Sequence, residues 1–531
     1  MALNTFVGAL FASGALAQNF DYVNKRYAEL PDGVLHFALS RQQGGRTGNN
    51  ALLRRDSDNF DISLNNSLTY FSTELEIGSE KQKVLVQVDT GSSDLWVMNS
   101  SNPYCSSNDN SDISSSNQID CPTDIMFDSS LSSSYKSNDT DFSITYGDTT
   151  FANGTYAHDD IWFNGNKVSD ANFALAENSN STTAVWGIGL IYLEASVTTL
   201  KNGVFYPTYP NIPVQMKNQG LISHVGYSLF LNDLDADDGS LLFGGVDHSK
   251  YVGTLQSLPL LSSYVNAPPS TFTVNLGNIT LYQGSKSGVL VNMNVGALLD
   301  SGSSYMSLPT RFVAALAESI GASVSSGYVL ASCSLTGGLT FDLSGITVNV
   351  PFQQMLFPAN AAKTQCILGV LADDENIILG DTFLRSVYAV YDLENNEVAL
   401  AASNFDSSSS ADVEAFASTG IPSATQAPRY SSTKVNSLLT TFNQSFYQTG
   451  SKGKSYGDYP SGVTTSVVVA ENNRTTNASS GSSSKSSVSA TGSSSSATSS
   501  THSRNAAPQV SNAFNPFNVF VGAIGALLYL F

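Results

Sequence analysis

The sequence predicts an all-β-dominated fold, on three observations. Short runs alternate apolar and polar residues at the period of a half-buried strand, as in Val84-Leu85-Val86-Gln87-Val88, Phe142-Ser143-Ile144-Thr145-Tyr146 and Ile346-Thr347-Val348-Asn349-Val350. Glycine, asparagine, aspartate and proline punctuate the gaps between such runs, where turns need their geometry. Helical periodicity is scarce, and Thr310–Ile320, opened by Pro309, is its clearest instance.

Composition limits how much of the chain can join that fold. At roughly 150 residues per domain, 531 residues suggest three or four domains. Residues 479–503, however, hold 15 Ser and 3 Thr in 25 positions, too little apolar surface to offset the entropy of ordering. The remainder shares most of 23 Tyr and 28 Phe and can bury a large core. A net charge of −20 with only 13% charged residues argues against nucleic-acid binding, because phosphate contacts need clustered Lys and Arg. The four cysteines show no CxxC spacing and the five histidines form no HExxH, so neither a metal nor another cofactor is expected.

From the amino terminus, residues 1–17 read as a secretory signal. Leu3 to Leu16 is apolar and too short to span a bilayer, and Ala15-Leu16-Ala17 is a small-residue cleavage site. Export implies an oxidising compartment, where four cysteines make two disulfides. Of the three possible pairings, proximity favours Cys105–Cys121 and Cys333–Cys366. Residues 18–55 read as a propeptide ending in the dibasic pair Arg54-Arg55, with a second pair at Lys25-Arg26. Six Lys/Arg against three acids make this leader a basic cover on an acidic body, to be released as acid titrates the body's carboxylates.

The β-rich body spans about 56–405. Beyond it, 406–505 is read as a Ser/Thr-rich stalk suited to O-glycosylation. Nine N-x-Ser/Thr sequons, at Asn65, Asn99, Asn138, Asn153, Asn180, Asn278, Asn443, Asn473 and Asn477, agree with export. The chain ends in thirteen mostly apolar residues, Val519 to Phe531, after a spacer and the small trio Asn505-Ala506-Ala507. That order matches a glycosylphosphatidylinositol (GPI) attachment signal, with Asn505 the attachment residue and 506–531 removed.

One pattern carries chemistry. Asp89-Thr90-Gly91-Ser92-Ser93 follows an apolar strand, and Asp300-Ser301-Gly302-Ser303-Ser304 follows another, 211 residues later. A single Asp-Ser/Thr-Gly is weak in so Ser-rich a chain, and each copy alone could be a hairpin turn. Twice, each after a strand, it places two carboxylates to face each other across a pseudo-two-fold axis. Two such groups about 3 Å apart cannot both ionise cheaply, so they share one proton. The neutral acid polarises a peptide carbonyl while the carboxylate takes a proton from water, with no metal and no covalent intermediate. Ser92 and Ser303 are placed to donate to the outer carboxylate oxygens, and Thr90 and Ser301 to bond across the axis.

At these residues the chain resembles the pepsin-like aspartic proteases, and its whole arrangement looks like their fungal, GPI-anchored yapsin branch. The resemblance covers about 56–403. It includes Trp96 in Asp94-Leu95-Trp96-Val97, and Ser143-Ile144-Thr145-Tyr146-Gly147, which matches the family's flap hairpin with Tyr146 closing over substrate. It continues through Ser240–Asp247, Ile378–Arg385 and Val398–Ala401. It implies a bilobal fold, with an N-terminal catalytic lobe over 56–252, a C-terminal one over 253–405 and the active-site cleft between them. It also implies that Cys333–Cys366 is the C-lobe disulfide. The chain departs from the pattern in three places. The flap reads Asp148-Thr149-Thr150 where the family has a Gly soon after Gly147. A bulky Trp186 interrupts Val185-Trp186-Gly187-Ile188-Gly189-Leu190. The Cys105–Cys121 loop carries Asp109, Asp112 and Asp120, like the acidic insertion of yapsins.

The expected protein is therefore an exported aspartic endopeptidase, a monomer acting on proteins or propeptides at the cell surface and held to the membrane by its lipid anchor. Asp148, on the flap beside Tyr146 and Gly147, is expected to favour Lys or Arg before the cut. The rival expectations are a catalytically silent surface-binding protein on the same scaffold and a soluble vacuolar protease. His158, His224 and His248 are read as surface or polar-network residues, with no Gly-x-Ser-x-Gly elbow beside them.

Overall fold

The computed structural model describes residue 27, residues 30–43, residues 69–435 except 109–112, 115–116, 200–204, 208, 264–266, 326, 407–409 and 418, and residues 466–468. The signal, Arg54-Arg55, Asn65, Asn443, Asn473, Asn477, Asn505, most of the stalk and the anchor signal lie outside the described residues, as do Asp109 and Asp112.

Strands dominate, as the alternation predicts, and they form two sheet systems that make two lobes. In the first, hairpins run from Thr69–Ile77 through Gln82–Asp89 to Leu95–Asn99, Lys136–Thr145, Phe151–Phe163 and Asn166–Ser179. Glu76 pairs with Trp162, which folds this sheet back on itself. The second is built on the long hairpin of Thr273–Gln283 with Lys286–Leu299, extended by Gly338–Leu343 on one side and Ile378–Leu379 on the other.

The first sheet also gathers strands from the far end of the chain. Val387–Asp392 pairs with Gly226–Phe230, and Glu397–Ser403 pairs with Tyr251–Pro259. The lobe boundary expected between residues 252 and 253 thus falls inside a strand of this shared sheet. Helix Thr310–Ile320 forms where its 3.6-residue periodicity predicts, burying Phe312, Val313, Leu316 and Ala317. Gly321 ends it at φ +69°, a left-handed position that glycine takes without strain. Both disulfides are the expected pairs, Cys105–Cys121 and Cys333–Cys366, with Cα separations of 5.4 and 5.0 Å.

Two regions read as appendages are packed. Within the leader, Leu35–Gln43 is an inner strand of the first sheet, paired with Asp238–Phe243 on one side and with Thr69–Ser72 on the other. Its alternating Leu35, Phe37 and Leu39 enter the main core, and the Tyr27 hydroxyl donates to Asp247 at 2.7 Å. Beyond residue 405, where the stalk was expected to begin, Val413–Ala415 pairs with Gly245–Asp247. Thr425–Gln426 lies parallel to Gln256–Ser257, Ala427 and Tyr430 are buried in the core, and Arg429 grips both Asp342 oxygens at 2.6 and 2.7 Å. The packed body therefore runs on past residue 433, because these short apolar pieces find partners far away in sequence, and Ser466–Val468 adds a last parallel strand beside Ile346–Val348.

Candidate active site

The two Asp turns come together where Gln82–Asp89 and Lys286–Leu299 end. Each turn folds onto its own carboxylate. Asp89 accepts the Gly91 amide on Oδ1 at 2.8 Å and the Ser92 hydroxyl on Oδ2 at 2.7 Å. Asp300 repeats this with Gly302 at 2.8 Å and Ser303 at 2.6 Å. The turns then lock crosswise. The Thr90 amide donates to Ser301 Oγ at 3.1 Å and the Ser301 amide to Thr90 Oγ1 at 2.9 Å. The two hydroxyls donate onward to Leu299 and Val88 carbonyls. Four buried donors and acceptors are thereby satisfied across the axis, as a pseudo-symmetric pair requires.

The inner oxygens face the opposite turn. A Cβ at Gly91 would lie 2.5 Å from Asp300 Oδ1, and one at Gly302 would collide with Asp89 Oδ1. Both carboxyls are buried, at 3% and 7% exposure. Burial, and then the charge of Asp89, push Asp300 well above the usual carboxylate range, against the hydrogen bonds from Ser303 and Gly302. Such a pair holds one proton between two oxygens and can act as acid and base together.

Lys136–Thr145 and Phe151–Phe163 form a hairpin. The Tyr146 hydroxyl accepts from Trp96 Nε1–H at 2.7 Å, which fixes the hairpin near its tip to the strand that follows the first Asp turn. Thr149 takes φ +67°, the left-handed conformation that a β-branched residue seldom adopts, at the point where the sequence lacks the expected glycine. Asp148 Oδ1 accepts the Thr150 amide at 3.0 Å and the Thr150 hydroxyl at 2.6 Å, so one of its oxygens caps the turn. Trp186 does not narrow the cleft, because its ring is fully buried between Phe37 and Phe243 in the main core.

The three histidines sit elsewhere. His224 pairs with Asp392 at 2.7 Å, His248 with Glu414 at 2.9 Å, and His158 lies 3.8 Å from Asp170. Of the sequons, Asn99, Asn138, Asn153, Asn180 and Asn278 all reach solvent at least in part. The sequence reading passed over Asp381, whose amide donates to Ser303 O at 2.8 Å beside the second turn. Its carboxyl is held well above the ordinary range by burial, with Arg385 opposing and Asp300 adding to the rise. The motif Ile378–Arg385 carried it, but only its position in the fold shows its proximity to the turn.

Two β lobes joined at a pair of buried carboxyl groups define an aspartic-type peptide hydrolase. The family model for eukaryotic aspartyl proteases matches residues 69–403. Aspartic proteinase MKC7 of Saccharomyces cerevisiae is 36% identical over 476 residues, covering 79% of each chain. Aspartic proteinase yapsin-3 of the same yeast is 36% identical over 435 residues, 79% of this chain and 82% of its own. A probable aspartic-type endopeptidase, opsB, of Aspergillus oryzae is 37% identical over 371 residues, 67% and 73% of the two chains. The chain belongs to the eukaryotic aspartyl protease family and is an aspartic endopeptidase.

Proposed function

We propose that the protein is a surface-anchored endopeptidase that works in acid and accepts Lys or Arg before the cut. Asp89 and Asp300 share one proton. The ionised carboxyl takes a proton from water as its oxygen attacks the scissile carbonyl carbon, and the neutral partner protonates the carbonyl oxygen. The tetrahedral diol collapses as its proton returns through the pair to the leaving amine. Thr90, Gly91, Ser92, Ser301, Gly302 and Ser303 hold the pair, Tyr146, Gly147 and Asp148 line the substrate side, and Trp96, expected there too, is fully buried and supports Tyr146 from behind.

The observation that carries this reading is the crosswise lock of the two turns, which opposes each inner oxygen to the other turn's glycine. Asp148 supports the basic preference through its Oδ2, which takes no hydrogen bond among the described residues. A charge-assisted bond there is worth roughly 1.5–3 kcal/mol, about ten- to a hundredfold in selectivity. The leader would be cut after Arg55, in the stretch between strands Leu35–Gln43 and Thr69–Ile77. Glycans on the sequons, the stalk and the anchor at Asn505 complete the surface assignment.

The test is acid-pH peptide hydrolysis by the secreted protein, with and without pepstatin. Asp89→Asn and Asp300→Asn should each abolish it, and near-wild-type activity in either variant defeats the mechanism. Matched peptides with Lys or Leu before the scissile bond test the preference. An unchanged Lys/Leu ratio of kcat/KM in Asp148→Thr removes Asp148 from the account.

A further inference from the structure

Asp94 leaves the first Asp turn two residues before Trp96. It directly precedes strand Leu95–Asn99, and both side chains bond the hairpin, Asp94 through Tyr156 and Trp96 through Tyr146. Asp94 is fully buried. Its Oδ1 accepts the hydroxyls of Tyr156 at 2.8 Å and Tyr209 at 2.6 Å, and its Oδ2 accepts the Ala195 amide at 2.7 Å. Among the described residues, no cation is one of the groups that hold it. Burial raises its carboxyl above the ordinary range, and these three hydrogen bonds alone pull it back. A buried carboxylate held by neutral donors is a costly choice for packing alone. Three donors aimed at one carboxylate are also a demand that few side chains meet. Asparagine has one acceptor oxygen and can serve the tyrosines or the Ala195 amide, not all three.

Tyr156 lies on the return strand of the hairpin, and its ring meets Phe142 of the outgoing strand edge-on at 5.4 Å. Trp96, Phe142, Ile144, Tyr156 and Val185 form a small core of their own under the hairpin, against which Tyr146 and Tyr209 pack. The hairpin is thus tied twice to the segment Asp94–Trp96, near its tip through Trp96 and Tyr146, and nearer its base through Asp94 and Tyr156. Two ties on one segment fix an angle as well as a distance.

We infer that Asp94 is a positioning residue for the hairpin: its carboxylate, through Tyr156, sets the height at which Tyr146 stands over the two Asp turns. This rests on the reading above that the hairpin covers substrate. Misplacement of a substrate-side group by about 1 Å costs about a hundredfold in rate, so a partial loss of position should cost less.

The test uses the secreted protein labelled with 5-fluorotryptophan, whose three tryptophans each give one fluorine resonance. Trp96→Phe assigns the signal of Trp96. Tyr156→Phe, which deletes one hydroxyl and keeps the ring, should shift or broaden that signal while those of Trp162 and Trp186 hold. It should also lower kcat/KM about tenfold while the melting temperature falls by only a few degrees, because Tyr209 and the Ala195 amide still hold Asp94. Combined with Trp96→Phe, it should lose little more than the worse single variant, because both loosen the same hairpin. An unmoved Trp96 signal overturns the inference, as do fully additive losses. The fluorine readout does not depend on turnover, so a wild-type protein that fails to cleave peptides would defeat the catalytic reading without touching it.

Discussion

Gly91→Ala isolates the geometry of the carboxyl pair. Gly91 does not occupy the left-handed region, so alanine meets no backbone strain there, and the only new atom is a methyl. That methyl would stand 2.5 Å from Asp300 Oδ1 and 2.7 Å from its Cγ, where ordinary contact begins at 3.4 Å. The carboxyls must therefore part by roughly 1 Å, and a displacement of that size costs about a hundredfold in turnover. Stability should move little, because loss of glycine's freedom in the unfolded chain stabilises by about 0.4–1 kcal/mol and offsets part of the clash. The assay is kcat on a peptide substrate beside the melting temperature of the same preparation. A variant that melts like wild type and keeps wild-type kcat would refute the opposition of the two turns.

The buried carboxyls and the packed tail carry further consequences. Asp94, Asp300 and Asp381 all have carboxyls raised by burial, so the folded state holds protons that the unfolded chain releases above its pKa of about 4. Their contribution to stability is full below that pH and is lost as pH rises toward the raised values. The melting temperature should fall from pH 4 toward neutral, and less steeply in Asp300→Asn. Thr149→Gly should relieve left-handed strain of roughly 1–2 kcal/mol against a glycine penalty of roughly 0.5–1 kcal/mol. Exchange of the Tyr146 amide proton, which bonds Thr150 O at 2.8 Å, should slow about two- to fivefold, and faster exchange would contradict the strain. A chain stopped after residue 405 loses the burial of Phe416, Ala427 and Tyr430 and should lose roughly 3–5 kcal/mol, whereas one stopped after 470, which keeps Ser466–Val468 paired with Ile346–Val348, should unfold like the longer chain.

What was legible in the sequence was local or repeated. The two Asp-x-Gly-Ser-Ser turns announced themselves by recurring after strands, and helix Thr310–Ile320 by its period and Pro309. The disulfides followed from proximity along the chain. What escaped depended on partners far away. Leu35-His36-Phe37-Ala38-Leu39 reads as a strand, but nothing near it says that Asp238–Phe243 will take its edge. The pieces at 413–415 and 425–430 are too short to signal burial, and their partners stand up to 170 residues back. Asp94 was read only as part of the motif that bears Trp96, because its tyrosines lie 62 and 115 residues on. Asp148 illustrates a different limit, since a flap carboxylate reads equally well as a turn cap and as a substrate partner.

The shared sheet also orders events in time. Strand Gly226–Phe230 takes Val387–Asp392 as its outer neighbour, yet the ribosome delivers that neighbour some 160 residues later. At about 5–20 residues per second, the gap amounts to roughly 10–30 s during which one edge of the sheet is bare. The first lobe can gather its hairpins in that interval but cannot close its seam. An unpaired edge is a template for the wrong strand, including that of a second nascent copy. The vulnerable species in biosynthesis is therefore the half-made chain, and whatever shields that edge while the second lobe is synthesised governs how much folded enzyme is made.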